Sequence, residues 1–279
     1  MTVVLMESNA EETGLDVHDL RIDKAFAGRS LHVRNIASQM SSLQRLSHAF
    51  AERPDSVLQE LVDVAVDLCG ADSAGISIEK EDASDQEFYH WIATAGKYSG
   101  FLNAVLPRYP SACGLCLERG HAQHFTVTKK FFDILGVEAP LVTDGILLPW
   151  QTEETRGTIF VMAHGRAEAF DENDARLMTM LADFAAMGYR QLKQKERMIA
   201  QERVAAAAQM ANELAHEINN PLQSMTNAAF LIEEGATDEE SRIRGRDLSN
   251  DIRRLSVLVK QLLALPIERR DAPKLRGSE

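Results

Sequence analysis

The chain has 279 residues, 45% of them hydrophobic and 26% charged, enough for one large folded domain or two modest ones. Its formal charge of −12 is uneven: residues 1–189 hold 15 Lys+Arg against 28 Asp+Glu, and residues 190–279 hold 15 against 14. The acidic first two thirds exclude nucleic-acid and anionic-membrane binding, no run approaches the roughly 18 apolar residues of a membrane span, and three cysteines are too few for a disulfide framework, so a reduced, cytoplasmic protein is expected.

The opening MTVVLMESNAEE has no basic flank and turns acidic at once, so it does not read as a signal peptide. Residues 1–52 form an N-terminal segment, polar and then partly helical, with Leu31, Ile36, Met40, Leu43, Leu46 and Phe50 at mostly helical spacing. SVLQELVDVAVDLCG (56–70) predicts an amphipathic helix stopped by Gly70. AGISIEK (74–80) and FYHWIATAG (88–96) read as strands joined by the acidic loop EDASDQ, with alternation placing Phe88, His90 and Ile92 on one face. CGLCLERG (113–120) is a short helix ended by Gly120, AQHFTV (122–127) a strand, and KFFDILG (130–136) a helical turn. GILLPWQ (145–151) and GTIFVMAH (157–164) suggest a hairpin around TEETR. After AFDENDA, whose acids suit a helix N-terminus, a long helix begins and runs with no Gly or Pro between Tyr189 and Pro221. Helices before and after antiparallel-looking strands give an α+β domain.

A helix so long needs partner helices. Ala211, Leu214, Ile218, Leu222, Met225, Ala229 and Ile232 step by three and four. GATDEES breaks the pattern, and Leu248, Ile252, Leu255, Val259 and Leu262 resume it until Pro266. This predicts a helical hairpin. Two helices cannot enclose a core, so two hairpins are expected to pair as a homodimeric four-helix bundle.

Within the first arm, ELAHEINNPLQ (213–223) carries a histidine, an acid and a proline. His216 lies two residues from both Leu214 and Ile218, about 200° around the helix from each, and points outward. Glu217 can accept its Nδ1 proton and leave Nε2 nucleophilic. Asn220 is one turn on, and Pro221 removes a backbone N–H and bends the helix near His216. A zinc-protease motif is excluded, because Asn220 stands where its second histidine is required.

LAHEINNPLQ resembles the phosphoacceptor box of sensor histidine kinases, matching it at His216, Glu217, Ile218, Asn219, Asn220, Pro221 and Leu222. The second arm, ending RRLSVLVKQLLAL, is similar to that family's second helix. The resemblance implies that His216 is phosphorylated on Nε2. It implies that Glu217 assists in-line transfer as base, and that Asn220 positions water for dephosphorylating a response regulator. Arg242, Arg246 and Arg253 recur near one face, either solvated or docking an acidic receiver. The family's Asn-rich and Gly-rich nucleotide boxes do not follow the hairpin, and Gly235, Gly245 and Gly277 are the only glycines after residue 221. The expectation is an acceptor without its own ATP-binding domain, served by a separate histidine kinase or ATPase domain. The Met1 start and charged tail favour a natural chain over a fragment. Whether it is an enzyme stays open.

Residues 53–188 resemble a GAF domain, a small-molecule-sensing α+β module, through VLQELVDVAVDLCGADSAGISI, CGLCLERG and GTIFVMAHGRAEAFDENDARLMTMLADFAA. The resemblance implies a sensor with an unknown small-molecule ligand and no certain cofactor. Trp91, His90, Tyr98, Phe101, Tyr109, His121, His124 and Trp150 are candidate pocket residues. Cys113 and Cys116 form a CxxC, read either as a redox or metal pair or as two inward-packed small hydrophobes. Gly114 after Cys113 argues against a covalent bilin, and no metal site is expected.

The expected organisation is therefore an N-terminal segment (1–52), a GAF-like antiparallel sheet with flanking helices (53–188), a signalling helix (189–210), a dimerising phosphoacceptor hairpin (211–266) and a polar tail (267–279). The function implied is two-component signalling with a response-regulator partner, phosphotransfer or phosphatase action at His216, and no nucleic acid or membrane. The rival is a non-enzymatic dimeric GAF scaffold with a vestigial phosphoacceptor helix.

Overall fold

Period-two runs interleaved with amphipathic helices require a sheet that can be covered on both faces. The computed structural model describes residues 10–80, 84–235 and 237–264, with side chains to residue 260. The opening nine residues, Leu262's side chain, Pro266 and the polar tail lie outside the described residues. The chain divides into two units, Met1–Gln194 and Lys195–Glu279.

The first unit contains α1 (Ala10–Thr13), β1 (Leu15–Asp19), α2 (Lys24–Ala27), α3 (Ile36–Glu52), α4 (Val57–Cys69), β2 (Ser73–Glu79), β3 (Tyr89–Gly96) and β4 (Val105–Leu106). After these come α5 (Ala112–Arg119), β5 (Gln123–Val127), α6 (Lys129–Leu135), β6 (Val142–Gln151), β7 (Arg156–Ala163) and the start of α7 (Glu172–Gly235). The strands make one antiparallel sheet in the order β1-β5-β6-β7-β2-β3-β4, so the unit is α+β as the patterning predicts.

Side-chain alternation divides the apolar residues between two faces. On β7, Ile159 and Val161 join Leu61, Leu68, Met178 and Leu181 beneath α4 and α7. Phe160 and Met162 point the other way, to Cys113, Phe131, Phe132 and Leu147 under α5 and α6. Helix α5 begins at Ser111, whose Oγ accepts the Gly114 N–H at 3.3 Å, and α4 and α5 end at Gly70 and Gly120. Ser111→Ala should cost about 1 kcal/mol, read as a lower urea midpoint with an unchanged slope.

Two local expectations need correction. Phe88 and Ile92 do not share a face: Phe88 packs in the α5/α6 core and Ile92 against the α4/α7 core. The β2–β3 register shifts between Ile76 and Ser77, pairing Ile76 with Ala93 and Ser77 with Trp91, and an inserted residue reverses the alternation beyond it. Moreover, the N-terminal segment contributes to the sheet, since Val17 of β1 pairs with Phe125 of β5. Only Leu15 and Val17 in LDVHD are buried apolar residues, too short a pattern to stand out.

A buried ionic cluster anchors the stretch after β1. Arg29 Nη1 donates to Asp144 Oδ2 at 2.9 Å and to the Phe170 carbonyl at 2.8 Å, and His124 Nε2 lies 2.6 Å from Asp144 Oδ1. Burial pushes the Asp144 carboxyl up, but the bonds from His124 and Arg29 outweigh it and hold the group below its ordinary value. At the α7 N-terminus Asp171 Oδ1 accepts the N–H groups of Asn173 and Asp174, as the acidic run before the helix predicts.

The second unit holds the rest of α7 and then α8 (Glu239–Ala264). Leu222, Ala229 and Ile252 form its core, with Ile218 and Val259 packed against them. Along α8, Ser241, Gly245, Ser249 and Ser256 are all at least half covered. A Cβ at Gly245 would lie 3.0 Å from the Glu233 backbone nitrogen, so glycine permits the close approach of the two helices. Leu214, Met225, Ile232, Leu248 and Leu255 of the predicted seam stay 46–54% exposed in the single hairpin.

Candidate functional site

A histidine at an outward helical position needs a fixed helix and open space in front of it. Helix α7 runs without interruption through Pro221, and His216, Glu217 and Asn220 are all exposed. Proline has no N–H to return to the Glu217 carbonyl, which leaves that acceptor free one residue from His216. None of the three site side chains has a hydrogen bond or ion pair among the described residues. Adjacent helical residues diverge by about 100°, so the expected Glu217 to His216 bond does not form in this conformation.

Asn219, Asn220, Gln223 and Asn227 share the His216 face, and Gln223 Nε2 donates to Asn227 Oδ1 at 3.2 Å. This face is polar, with Glu213 one turn before His216 as its nearest acid. By helical geometry His216 lies roughly 160° around α7 from the exposed strip Leu214, Met225 and Ile232. Covering that strip would leave the imidazole accessible. Arg242, Arg246 and Arg253 are engaged locally, by Glu239 at 3.1 Å, Glu233 at 3.3 Å and Asn250 at 3.5 Å.

The first unit encloses an apolar cavity of about 270 Å³ between the sheet and α5 and α6. Of the candidate pocket residues, Trp91, Tyr98 and Phe101 line it, while His90, Tyr109, His121, His124 and Trp150 do not. His121 lies 2.8 Å from Asp19, His124 belongs to the Asp144 cluster, Trp150 packs in the opposite core beside Tyr189, and Tyr109 is exposed. The sequence reading missed Phe131, Phe160 and Met162 as lining residues; their period-two and helical patterns read only as core.

Cys113 and Cys116 are buried hydrophobes, not an accessible pair. Cys113 Sγ accepts from Thr158 Oγ1 at 3.2 Å and Ser77 Oγ at 3.6 Å, and Cys116 Sγ donates to the His121 carbonyl at 3.6 Å. Burial pushes both thiols up, away from thiolate. Alkylation of either by iodoacetamide at pH 8 should be at least ~100-fold slower than in the unfolded chain, as read by mass spectrometry of quenched samples. His32, Asp171 and Asp174 bring three ligand-type atoms within 4.8 Å of one another, but Arg34 already takes Asp174 Oδ2 at 2.7 Å.

Among solved structures, the chain is similar to the GAF domain of a phosphoenolpyruvate-protein phosphotransferase from Acinetobacter. Identity is 15% and the TM-score 0.43, covering 54% of this chain and 91% of that one. The GAF domain of a phosphoenolpyruvate-protein phosphotransferase from Coxiella burnetii gives 17%, 0.43, 58% and 99%. Free methionine-R-sulfoxide reductase from Neisseria meningitidis, in complex with its substrate, gives 16%, 0.43, 60% and 98%. Comparison with curated proteins returned no match. Residues 206–267 match the family model described as His Kinase A (phospho-acceptor) domain, and that span contains His216 and both arms of the hairpin. The second unit of this chain thus carries a phospho-acceptor domain of the His Kinase A family.

Proposed function

We propose that the chain acts in two-component signalling, with His216 as the residue that takes and passes on a phosphoryl group. The observation that carries this reading is an exposed histidine in the phospho-acceptor hairpin, on the face remote from its uncovered apolar strip. Domains of this family generally dimerise and partner with response regulators. In the transfer, Nε2 attacks the phosphorus of a donor, an N–P bond forms, and the bond from phosphorus to the donor oxygen breaks. The donor is ATP held by a separate histidine kinase, with ADP as the leaving group, or the aspartyl phosphate of a response regulator. Glu217 acts as base once its side chain turns toward the imidazole, and Asn220 positions water when the receiver phosphate is hydrolysed. Two copies pair through the exposed strip into a four-helix bundle.

The first unit serves as a GAF-type sensor, and its signal reaches the hairpin by shifting the bundle between two packings. No described helix is long and apolar enough to cross a membrane, and the three free cysteines suit a reducing compartment, so we place the protein in the cytoplasm. Incubation with phosphorylated receivers and candidate kinases, followed by detection of phosphohistidine, tests the reading. No phosphate on His216 and no faster receiver dephosphorylation would favour a dimeric scaffold with a vestigial acceptor helix.

A further inference from the structure

The cavity beneath α5 and α6 has a chemical character that narrows what it holds. Among the described residues that line it there is no Lys, Arg, His, Asp or Glu. Three polar side chains on its wall are already engaged, and a further one, Gln86, is exposed to solvent. The Tyr98 hydroxyl donates to the Pro140 carbonyl at 2.6 Å, Ser111 Oγ caps α5, and Cys113 Sγ is held by Thr158 and Ser77. The buried Trp91 indole N–H has no partner among the described residues. Aromatic rings crowd one wall: Trp91 sits 4.9 Å from Phe160 and 6.0 Å from Tyr98, centroid to centroid. At the rim, Val105, Ile134 and Val137 are 42–51% exposed, which gives an apolar guest a way in.

We propose that this cavity binds an uncharged, flat, largely apolar molecule of about ten to twelve non-hydrogen atoms. The size follows from proportion: a dry cavity of about 150 Å³ accommodates benzene, so 270 Å³ takes a bicyclic ring system with one small substituent. The charge follows from the wall. A phosphate or carboxylate would be buried there with no cation to meet it, so cyclic nucleotides and small organic acids are rejected. A tetrapyrrole is several times too large. The polar part of the guest is limited to one small uncharged substituent, because the wall offers no charged partner. This deepens the sensor reading above and rests on it, while being independent of whether His216 takes phosphate.

Calorimetric titration of the full chain with 1-indanone, indane-1-carboxylate, cyclic GMP and biliverdin tests the assignment. The expected result is micromolar binding of 1-indanone, with the carboxylate at least ~30-fold weaker and the other two not binding. Val142→Phe, placed to fill the cavity, should abolish 1-indanone binding while the circular dichroism spectrum is retained. Should that variant misfold, the contrast between the neutral and charged indanes on the unaltered protein still decides. Equal or tighter binding of the carboxylate, or binding of cyclic GMP or biliverdin in place of 1-indanone, overturns the ligand class and leaves the sensor reading standing. No binding by any of the four overturns the ligand class and the sensor reading together.

Discussion

His216→Gln should eliminate phosphoryl transfer to the hairpin while leaving the fold untouched. The side chain is exposed and makes no bond among the described residues, so its replacement removes no packing and orphans no partner. Glutamine keeps a polar side chain of similar reach but offers no nucleophilic nitrogen. With a phosphorylated receiver as donor, the unaltered protein should acquire an acid-labile, base-stable phosphate, and the variant none. Glu217→Gln and Asn220→Ala divide the remaining roles. Loss of a general base costs about 10²–10⁴-fold, so Glu217→Gln should slow transfer within that range while the receiver still binds. Asn220→Ala should spare transfer and slow receiver dephosphorylation by about tenfold or more. If His216→Gln is phosphorylated as fast as the parent, another residue is the acceptor and the assignment fails.

The hairpin and most of the sheet were legible because apolar period and local stop signals agree there. Val57 to Cys69 has a continuous stripe and a terminal Gly70, and Gly145 to Ala163 is two apolar runs on either side of a polar turn. Legibility failed where tertiary register overrides the local pattern. The shift opposite Ile76 and Ser77 sends Phe88 and Ile92 to opposite cores, and a single-residue slip has no signature in composition. Strand β1 was missed because its stability comes from pairing with β5, more than a hundred residues away in sequence. The cavity was half legible: Trp91, Tyr98 and Phe101 stand out as aromatics, but Leu15, Phe131 and Phe160 meet them only through the fold. His216, Glu217 and Asn220 were legible as a motif because their chemistry depends on helical spacing alone. The close approach on α8 was not, since Gly245 carries no hydrophobic signal and marks the contact by being small.

Leu255→Lys should convert the proposed dimer to a monomer without unfolding the hairpin. Leu255 and Leu214 are 50% and 52% exposed in the single chain, so a charge at either costs little within one hairpin. Their environment changes only if a second copy covers the strip. Each buried leucine then contributes about 1.5–3 kcal/mol, and two-fold symmetry presents every substitution twice. A loss of at least ~3 kcal/mol weakens association by about 100-fold or more. The control is Leu222→Lys. Leu222 is 9% exposed and packs with Ala229 and Ile252 inside one hairpin, so a charge there should melt the helices themselves. Sedimentation equilibrium and far-ultraviolet circular dichroism separate the two outcomes. Leu255→Lys should halve the mass and keep the helical signal, whereas Leu222→Lys should halve the mass and also lose the hairpin's share of the helical signal. A dimer that survives Leu255→Lys and Leu214→Lys together would show that the exposed strip is not the contact. The accessibility of His216 in the assembly would then need another explanation, because the roughly 160° between imidazole and strip protects the histidine from occlusion only if the strip is what the second copy covers.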